Sequence, residues 1–229
     1  MQTNRSLPTE DHPMKNAICY IIGAGENYGL DFTPSSNDFV ITADAGLHYL
    51  AQCGIAANLV IGDFDSLKNL PTHPNTLALN PEKDDTDMYA AVREGIKAGY
   101  SVFHIYCGTG GRIDHTIANL QILAYLSQNG MQGFLFDRDS IITAITNRKI
   151  AFAKIPSGYI SVFSYTEKSE GVYLQNLKYE LNNATLTNTF PLGVSNEFIG
   201  KESSVSVAAG TLLIVFPKEA MHKLLIDAV

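Results

Sequence analysis

The chain has 229 residues, of which 45% are hydrophobic and 17% charged, so it can bury a core in one large domain or two smaller ones. Its net charge of −7 argues against a nucleic-acid-binding protein, which would normally carry a basic stripe. It does not argue against nucleotide binding, because bound Mg²⁺ can reverse the local field. No apolar run approaches bilayer length, so we expect a soluble, cytoplasmic protein that contacts neither membranes nor nucleic acid.

The N-terminal segment and the cysteines give only general information. Residues 1–15 are polar and lack the apolar region of a signal peptide, so we expect a flexible leader. Cys19, Cys53 and Cys107 lie in apolar segments without CxxC spacing. This pattern predicts buried, reduced thiols rather than a zinc or redox site.

The first predicted strand, Ala17–Ile22, ends at a glycine pair, Gly23 and Gly25. The pair does not complete a GxGxxG dinucleotide fingerprint. Two interpretations are equally compatible with the sequence: close approach of the backbone to a phosphate, or a tight turn from strand to loop.

The second predicted strand, Phe39–Thr42, leads to Asp44 and then to a predicted helix, Leu47–Cys53, which Gly54 would end. Asp44 therefore stands at a junction between strand and helix. It either caps this helix or contributes to an acidic rim together with the residues that end the next strand.

Two acidic clusters flank the following unit. The strand Leu59–Ile61 is followed by Asp63 and Asp65, and the cluster Asp84–Asp87 precedes a predicted helix, Met88–Ala98. Thr86 or Asp84 can cap that helix. Aspartate is common in turns and caps, so either cluster alone is better explained structurally. Both together, at the ends of one α/β unit, favour a site for a hard cation carrying phosphate oxygens.

A glycine-rich loop, Cys107–His115, follows the next strand and opens a predicted helix, Thr116–Gln128. Such a loop offers backbone N–H groups and a favourable dipole to an anion, and Arg112 adds a charged fork suited to phosphate. Asp114 is a candidate N-cap of the helix. His115 could bind phosphate or ribose, or simply occupy the first turn. A P-loop NTPase is excluded here, because no Gly-Lys-Ser/Thr follows.

The order of elements predicts the fold class. Strands and helices alternate up to about Gly133, which indicates a doubly wound parallel α/β sheet. Beyond it, short apolar or alternating runs separated by turn residues predict a β-sandwich domain. We therefore expect an α/β catalytic domain at 16–136 and a β-sandwich domain at 137–229. Within the latter, Gly193–Glu197 is best interpreted as a polar turn.

Five motifs in this order resemble those of the thiamine pyrophosphokinase family, particularly its bacterial members. They are Ala43-Asp44-Ala45-Gly46, Gly62-Asp63-Phe64-Asp65-Ser66, Asp84-Asp85-Thr86-Asp87, Gly111-Arg112-Ile113-Asp114-His115 and Ser195-Asn196-Glu197. Each motif is weak alone, but the ordered set spans nearly the whole chain after the leader and is specific.

The resemblance implies a homodimer with shared active sites, in which diphosphate moves from ATP to the hydroxyl of thiamine and gives thiamine diphosphate and AMP. The implied catalytic and Mg²⁺-binding residues are Asp63, Asp65 and Asp87. The implied substrate and nucleotide contacts are Asp44, Asp84, Thr86, Arg112, Asp114 and His115. Ser195 and Asn196 of the neighbouring subunit would meet the thiamine pyrimidine. The tryptophan that some relatives place near thiamine has no counterpart here, and Phe198 is a candidate substitute.

Three other functions remain open at the level of sequence. Asp63-Phe64-Asp65-Ser66 superficially matches the DxD nucleophile motif of metal-dependent phosphohydrolases, which form an aspartyl-phosphate. A related pyrophosphokinase could act on a pterin alcohol instead of thiamine. A non-catalytic nucleotide or thiamine sensor would need fewer carboxylates than this chain carries.

Overall fold

The structure, a computed structural model, describes residues 15–63, 73–80 and 85–225. The strands in these ranges are β1 (Lys15–Ile22), β2 (Phe39–Ala43), β3 (Leu59–Gly62), β4 (Thr76–Ala78), β5 (Tyr100–Tyr106), β6 (Gln132–Phe136), β7 (Ser140–Thr146), β8 (Lys149–Phe152), β9 (Tyr159–Ser164), β10 (Lys168–Gln175), β11 (Leu181–Thr187), β12 (Gly193–Glu197), β13 (Ser203–Ser206), β14 (Thr211–Pro217) and β15 (Leu224–Leu225). The helices are α1 (Gly46–Cys53), α2 (Asp87–Lys97), α3 (Ile113–Gln128) and a 3₁₀ helix, Lys218–Lys223. Asp65, Asp84 and residues 1–14 of the expected leader lie outside the described residues.

The first six strands form the predicted parallel, doubly wound sheet, in the order β6-β5-β1-β2-β3-β4. The chain moves from β1 outward to β4, and α2 then returns it to the other side of β1, where β5 pairs. The strand order therefore reverses between β1 and β5. Open α/β sheets bind ligands outside the carboxyl ends of their strands at such a reversal, so this topology places a crevice between the loops that follow β1 and β5.

Both faces of the parallel sheet are covered, which explains the continuous apolar character of its strands. On β1, Cys19 and Ile21 face one core, which α2 and α3 complete, whereas Tyr20 and Ile22 face another core beside α1. No helix in the described part of the chain is long and apolar enough to cross a membrane.

The antiparallel half continues the same sheet. Strand β7 pairs antiparallel with β6, and β14, β9 and β12 follow, so that one ten-stranded sheet runs through the described part of the chain. A second sheet of five strands, in the order β11-β10-β13-β8-β15, packs against this extension around a core that includes Ile145, Phe152, Val205 and Ile214. The predicted sandwich is confirmed, but one of its sheets belongs equally to the parallel half. The division at residues 136 and 137 stays a prediction.

Several local expectations were wrong. Gly193–Glu197 is a strand and not a turn, because it pairs with β9 at the sheet edge despite its polar composition. Helix α3 begins at Ile113, with Arg112 at the N-cap position, so Asp114 lies in the first turn and is not the cap. Of the two alternatives for Asp44, the helix cap is excluded, because Ala45 occupies the N-cap position of α1. Cys53 is exposed at the end of α1, whereas Cys19 and Cys107 are buried thiols as predicted.

A candidate active-site cleft at the carboxyl ends of the parallel strands

Three aspartates from separate elements meet at the carboxyl edge of the parallel sheet. Asp44 follows β2, Asp63 follows β3, and Asp87 is the first residue of α2. One carboxylate oxygen of each lies within 4.8 Å of the others, and all three side chains are partly buried. The predicted pairing of Asp63 with Asp87 is present, and Asp44 joins them. Oxygen ligands converging in this way suit a hard divalent cation.

A tight turn directs Asp44 into this cluster. Its φ angle of 54° is left-handed, and its N–H donates to the carbonyl of Ile61 on the neighbouring strand at 2.8 Å. Gly46 then starts α1 against β1, where a Cβ would lie only 2.2 Å from the carbonyl oxygen of Ile22. Glycine is therefore required for α1 to approach the sheet this closely.

The start of α2 positions Asp87. The Thr86 hydroxyl accepts a hydrogen bond from the N–H of Tyr89 at 3.1 Å, which confirms the predicted cap. Asp87 consequently occupies the first helical turn beside the other two carboxylates.

The cluster faces a glycine-rich wall across a cleft with a volume of about 440 Å³. Gly25 donates from its N–H to the carbonyl of Cys107 at 2.8 Å, and a Cβ on Gly23 would lie 2.6 Å from the same oxygen. The glycine pair therefore allows the loops after β1 and β5 to touch through their backbones. On the second loop, Gly110 and Gly111 both have positive φ angles and line the cleft.

Two polar side chains that sequence reasoning missed hold the second loop. The buried Asn119 on α3 donates from Nδ2 to the carbonyl of Gly108 at 2.6 Å. The buried Thr109 donates from Oγ1 to Oδ1 of Asp137, after β6, at 2.6 Å. The contact of Thr109 with Asp137 joins two loops that are far apart in the sequence, so no local pattern predicts it. Asn119, by contrast, lies one turn beyond His115 on the same helix, and this spacing was a signal that could have found it.

Arg112 and Asp114 form an exposed ion pair at the mouth of the cleft. The Arg112 Nε donates to Asp114 Oδ1 at 3.2 Å, and the side chains are 73% and 61% exposed. The hydrogen bond and charge of Asp114 raise the pKa of Arg112, and the hydrogen bond from Arg112 is the main cause that lowers the pKa of Asp114. His115 is exposed and lines the cleft beside Arg112. Arg112 is thus an exposed cation beside the cleft, and Asp114 engages only part of the donor set of its guanidinium.

The structure does not bring Ser195 and Asn196 to the acidic cluster of the same chain. Both lie on β12, the edge strand six positions from β1 in the ten-stranded sheet, or roughly 29 Å at the usual strand spacing. Ser195 is exposed, with a φ of 57°. Asn196 is 3% exposed, and its amide bonds both the N–H and the carbonyl of Tyr179, at 2.9 and 2.6 Å. It therefore fixes a loop of its own subunit.

Phe198 does not provide the missing aromatic surface. It is 3% exposed and packs against Phe152 in the sandwich core, with ring centroids 5.2 Å apart. Its ring is unavailable to a ligand.

Comparison with known proteins gives the family. Residues 33–135 match the family model described as thiamin pyrophosphokinase, catalytic domain, and residues 147–212 match the model described as thiamin pyrophosphokinase, vitamin B1 binding domain. Together the two models match well over half of the chain, and they follow each other in the order of its two halves. This chain belongs to the thiamin pyrophosphokinase family.

Similar proteins support this membership over nearly the full length. The chain is 28% identical over 207 residues to the thiamine pyrophosphokinase of Bacillus subtilis strain 168, covering 86% of this chain and 97% of that protein. A crystal structure of a thiamin pyrophosphokinase family protein from Enterococcus faecalis is 27% identical, covers 87% of this chain and 98% of its own, and superposes with a TM-score of 0.76. The thiamin pyrophosphokinase of Geobacillus thermodenitrificans, 24% identical, shares the fold with a TM-score of 0.77 over 88% and 97% of the two chains.

Membership of this family indicates a divalent metal cofactor. The residues present fit such an ion. Three carboxylates converge from two strand ends and a helix start, and carboxylate oxygen is the donor type that hard cations prefer. Asp44, Asp63 and Asp87 would hold it.

Proposed function

We propose that this protein is a thiamine pyrophosphokinase, which transfers diphosphate from ATP to the hydroxyl of thiamine and releases AMP, with Mg²⁺ as the cofactor. Family membership, the curated relative and the fold support this function. The observation that carries the mechanism is the convergence of Asp44, Asp63 and Asp87 on one side of a cleft whose other side is the glycine-rich loop.

The two sides of the cleft suit a diphosphate transfer. A bound Mg²⁺ would neutralise charge on the phosphate oxygens, which is the main requirement of phosphoryl-type transfer. Asp44, Asp63 and Asp87 would hold that ion, and we expect Asp65 to add to the set. Gly110 and Gly111 would let phosphates approach the backbone closely. Arg112 and His115 line the cleft and would form its nucleotide side, with Asp114 as the ion-pair partner of Arg112.

The remaining chemical requirement is a proton acceptor. The thiamine hydroxyl must lose its proton as it attacks the β-phosphorus, and a carboxylate of the cleft accepts it. The same carboxylates also favour the approach of the cationic thiazolium ring, because opposite charges attract it into the cleft.

We also propose that the protein is a homodimer whose two subunits share their active sites. Within one subunit, the exposed Ser195 is too far from the acidic cluster to touch a common substrate, given the separation of roughly 29 Å between β12 and β1. A second subunit would have to present Ser195 to the cleft. In such a site, Asn196 would act indirectly, by holding the loop at Tyr179.

A coupled assay tests the reaction. With ATP and Mg²⁺, AMP should form only when thiamine is added, together with thiamine diphosphate. Phosphate release that does not require thiamine would instead identify a phosphohydrolase, and turnover of a pterin alcohol in place of thiamine would identify the related pyrophosphokinase. Tight binding of both substrates without turnover would show a sensor.

A further inference from the structure

A smaller hollow between α2 and α3 opens beside the cleft. It has a volume of about 250 Å³, and its walls include Tyr89 of α2 and Tyr125 of α3. Thr86 and Ala118 line both the hollow and the main cleft. The hollow therefore lies directly beside the cleft, and the two share part of their walls.

The walls of the hollow are shaped for a flat ring. The rings of Tyr89 and Tyr125 lie 5.4 Å apart between centroids, with their planes at 73°. They form a corner in which a planar ligand can stack on one ring and place its edge against the other. The buried side chain of Ile122 adds apolar surface.

Polar groups at the hollow can pair with the edge of such a ring. The exposed Gln121 amide carries both a donor and an acceptor, the pair with which glutamine recognises the amino group and adjacent nitrogen of adenine. The Asp85 carboxylate accepts from Arg93 Nη1 at 2.6 Å and retains acceptor capacity for an amino group.

The distance from the phosphate loop fits an extended substrate. Gln121 lies eight residues beyond Ile113 on α3, or roughly 12 Å along the helix axis. A molecule whose phosphate end meets the glycine-rich loop can thus direct a ring at its other end towards Tyr125.

We propose that this hollow, which we call the tyrosine subsite (Tyr89, Gln121, Ile122 and Tyr125), binds the adenine ring of ATP by its amino-substituted edge. The inference rests on the proposed function, in which ATP is the diphosphate donor and the pyrimidine of thiamine meets β12 of the second subunit. Stacking on a tyrosine gives affinity, and the amide pairing gives selectivity for the amino-substituted edge.

Substitutions in the subsite test the proposal. Tyr125→Ala should weaken the ligand that carries the ring by roughly 5- to 100-fold, and Gln121→Ala should weaken it less. Tyr125→Phe should retain most of the affinity, because the stacking surface remains. Tyr173→Ala, a half-buried position on β10, and Gln52→Ala, an exposed position on α1, are matched controls and should bind as the wild type does.

Two measurements distinguish binding of the ring from binding of the phosphates, and binding of ATP from binding of thiamine. The first is the KM for ATP and for thiamine, each measured independently. The second is a calorimetric titration, in the presence of Mg²⁺, with a non-hydrolysable ATP analogue and with inorganic tripolyphosphate. A change confined to ATP and its analogue supports the assignment to adenine, and a change confined to thiamine overturns it. Unchanged binding of both substrates in folded variants, or an equal loss for tripolyphosphate, overturns the proposal. A wild-type protein that forms no AMP with thiamine would refute the proposed function, yet the nucleotide titration would still report on the subsite.

Discussion

The proposed chemistry of the cleft depends on three single side chains, two after strand ends and one at a helix start. Asp44, Asp63 and Asp87 each come from a different element, and their oxygens share a space only 4.8 Å across. Carboxylates held this close repel one another unless a cation lies among them. Each is therefore expected to matter far more for activity than an exposed aspartate elsewhere.

Replacing Asp87 by asparagine should lower kcat/KM by at least ~100-fold, because it removes a negative ligand from a site that stabilises transferring phosphates. Steady-state assays of AMP formation measure the loss. Asp31→Asn, at a 73%-exposed side chain, is the control and should keep wild-type activity. An Asp87→Asn protein that folds and turns over normally would contradict the assignment.

Asn119→Leu should weaken ATP binding by roughly tenfold, because it leaves the Gly108 carbonyl without its buried donor and loosens the phosphate loop. The matched control is Asn129→Leu, which removes a similar Nδ2 bond to the Tyr125 carbonyl at the exposed end of the same helix. KM for ATP, measured well below the unfolding temperature, separates loosening of the loop from loss of stability. Equal KM values for both variants would show that Asn119 serves the core alone.

At the scale of elements, the face of the sheet opposite α2 and α3 is an aromatic layer across β1, β5 and β6. His104 lies within it, with ring centroids 5.5, 5.4 and 5.1 Å from Tyr20, Phe134 and Phe136. Burial in these surroundings lowers the pKa of His104 from 6.5 to about 4, although the charge of Asp38 opposes the shift. The His104 imidazole is therefore neutral in the folded chain at pH 7.

This shift predicts a pH dependence of stability. Between about pH 4 and 6.5 the unfolded chain binds a proton at His104 that the folded chain does not, so the free energy of unfolding should fall as the pH decreases through this range. Urea unfolding at pH 7 and pH 4.5 should show a loss of roughly 2 kcal/mol from this group. His104→Phe should remove that part of the loss. Parallel pH profiles for the two proteins would contradict the assignment.

At the scale of the whole molecule, the ten-stranded sheet separates the two halves of the proposed site. Strand β12 lies at one edge and the acidic cluster near the other, so one subunit cannot close both around thiamine. Closed two-fold symmetry would solve this, since each subunit would give its acidic cluster to one site and its β12 edge to the other.

Mixing two inactive variants tests this arrangement. Ser195→Arg should inactivate the protein by placing a bulky cation where the pyrimidine of thiamine would lie, and Asp87→Asn should inactivate it through the acidic cluster. When equal amounts are combined, about half of the dimers are mixed, and each mixed dimer has one of its two sites intact. The mixture should therefore recover roughly a quarter of wild-type activity. The measurement is AMP formation after subunit exchange, with dimers confirmed by sedimentation. No recovery would rule out shared sites.

Much of this protein could be inferred from sequence because the relevant signals are local. Short β-branched runs predicted the parallel strands, and aspartates directly after them had to gather at one edge, since parallel strands end together. Thr86 could be predicted as the cap of α2 because a helix cap is also a local signal. One prediction failed where a distant partner decides, since the polar strand β12 pairs with β9. Others failed locally, at the start of α3 and at the exposed Cys53.

The sequence by itself determined three things: the doubly wound half, the change to short β-strands and the family of the chain. Each depends on a pattern among neighbouring residues, namely the hydrophobic period, the turn residues and the ordered motifs. Only the tertiary structure decided that Asp44 joins Asp63 and Asp87, that β7 continues the parallel sheet, and that Tyr89 meets Tyr125 beside the cleft. These contacts depend on strand order and helix packing between segments far apart in the chain, and no local pattern specifies them.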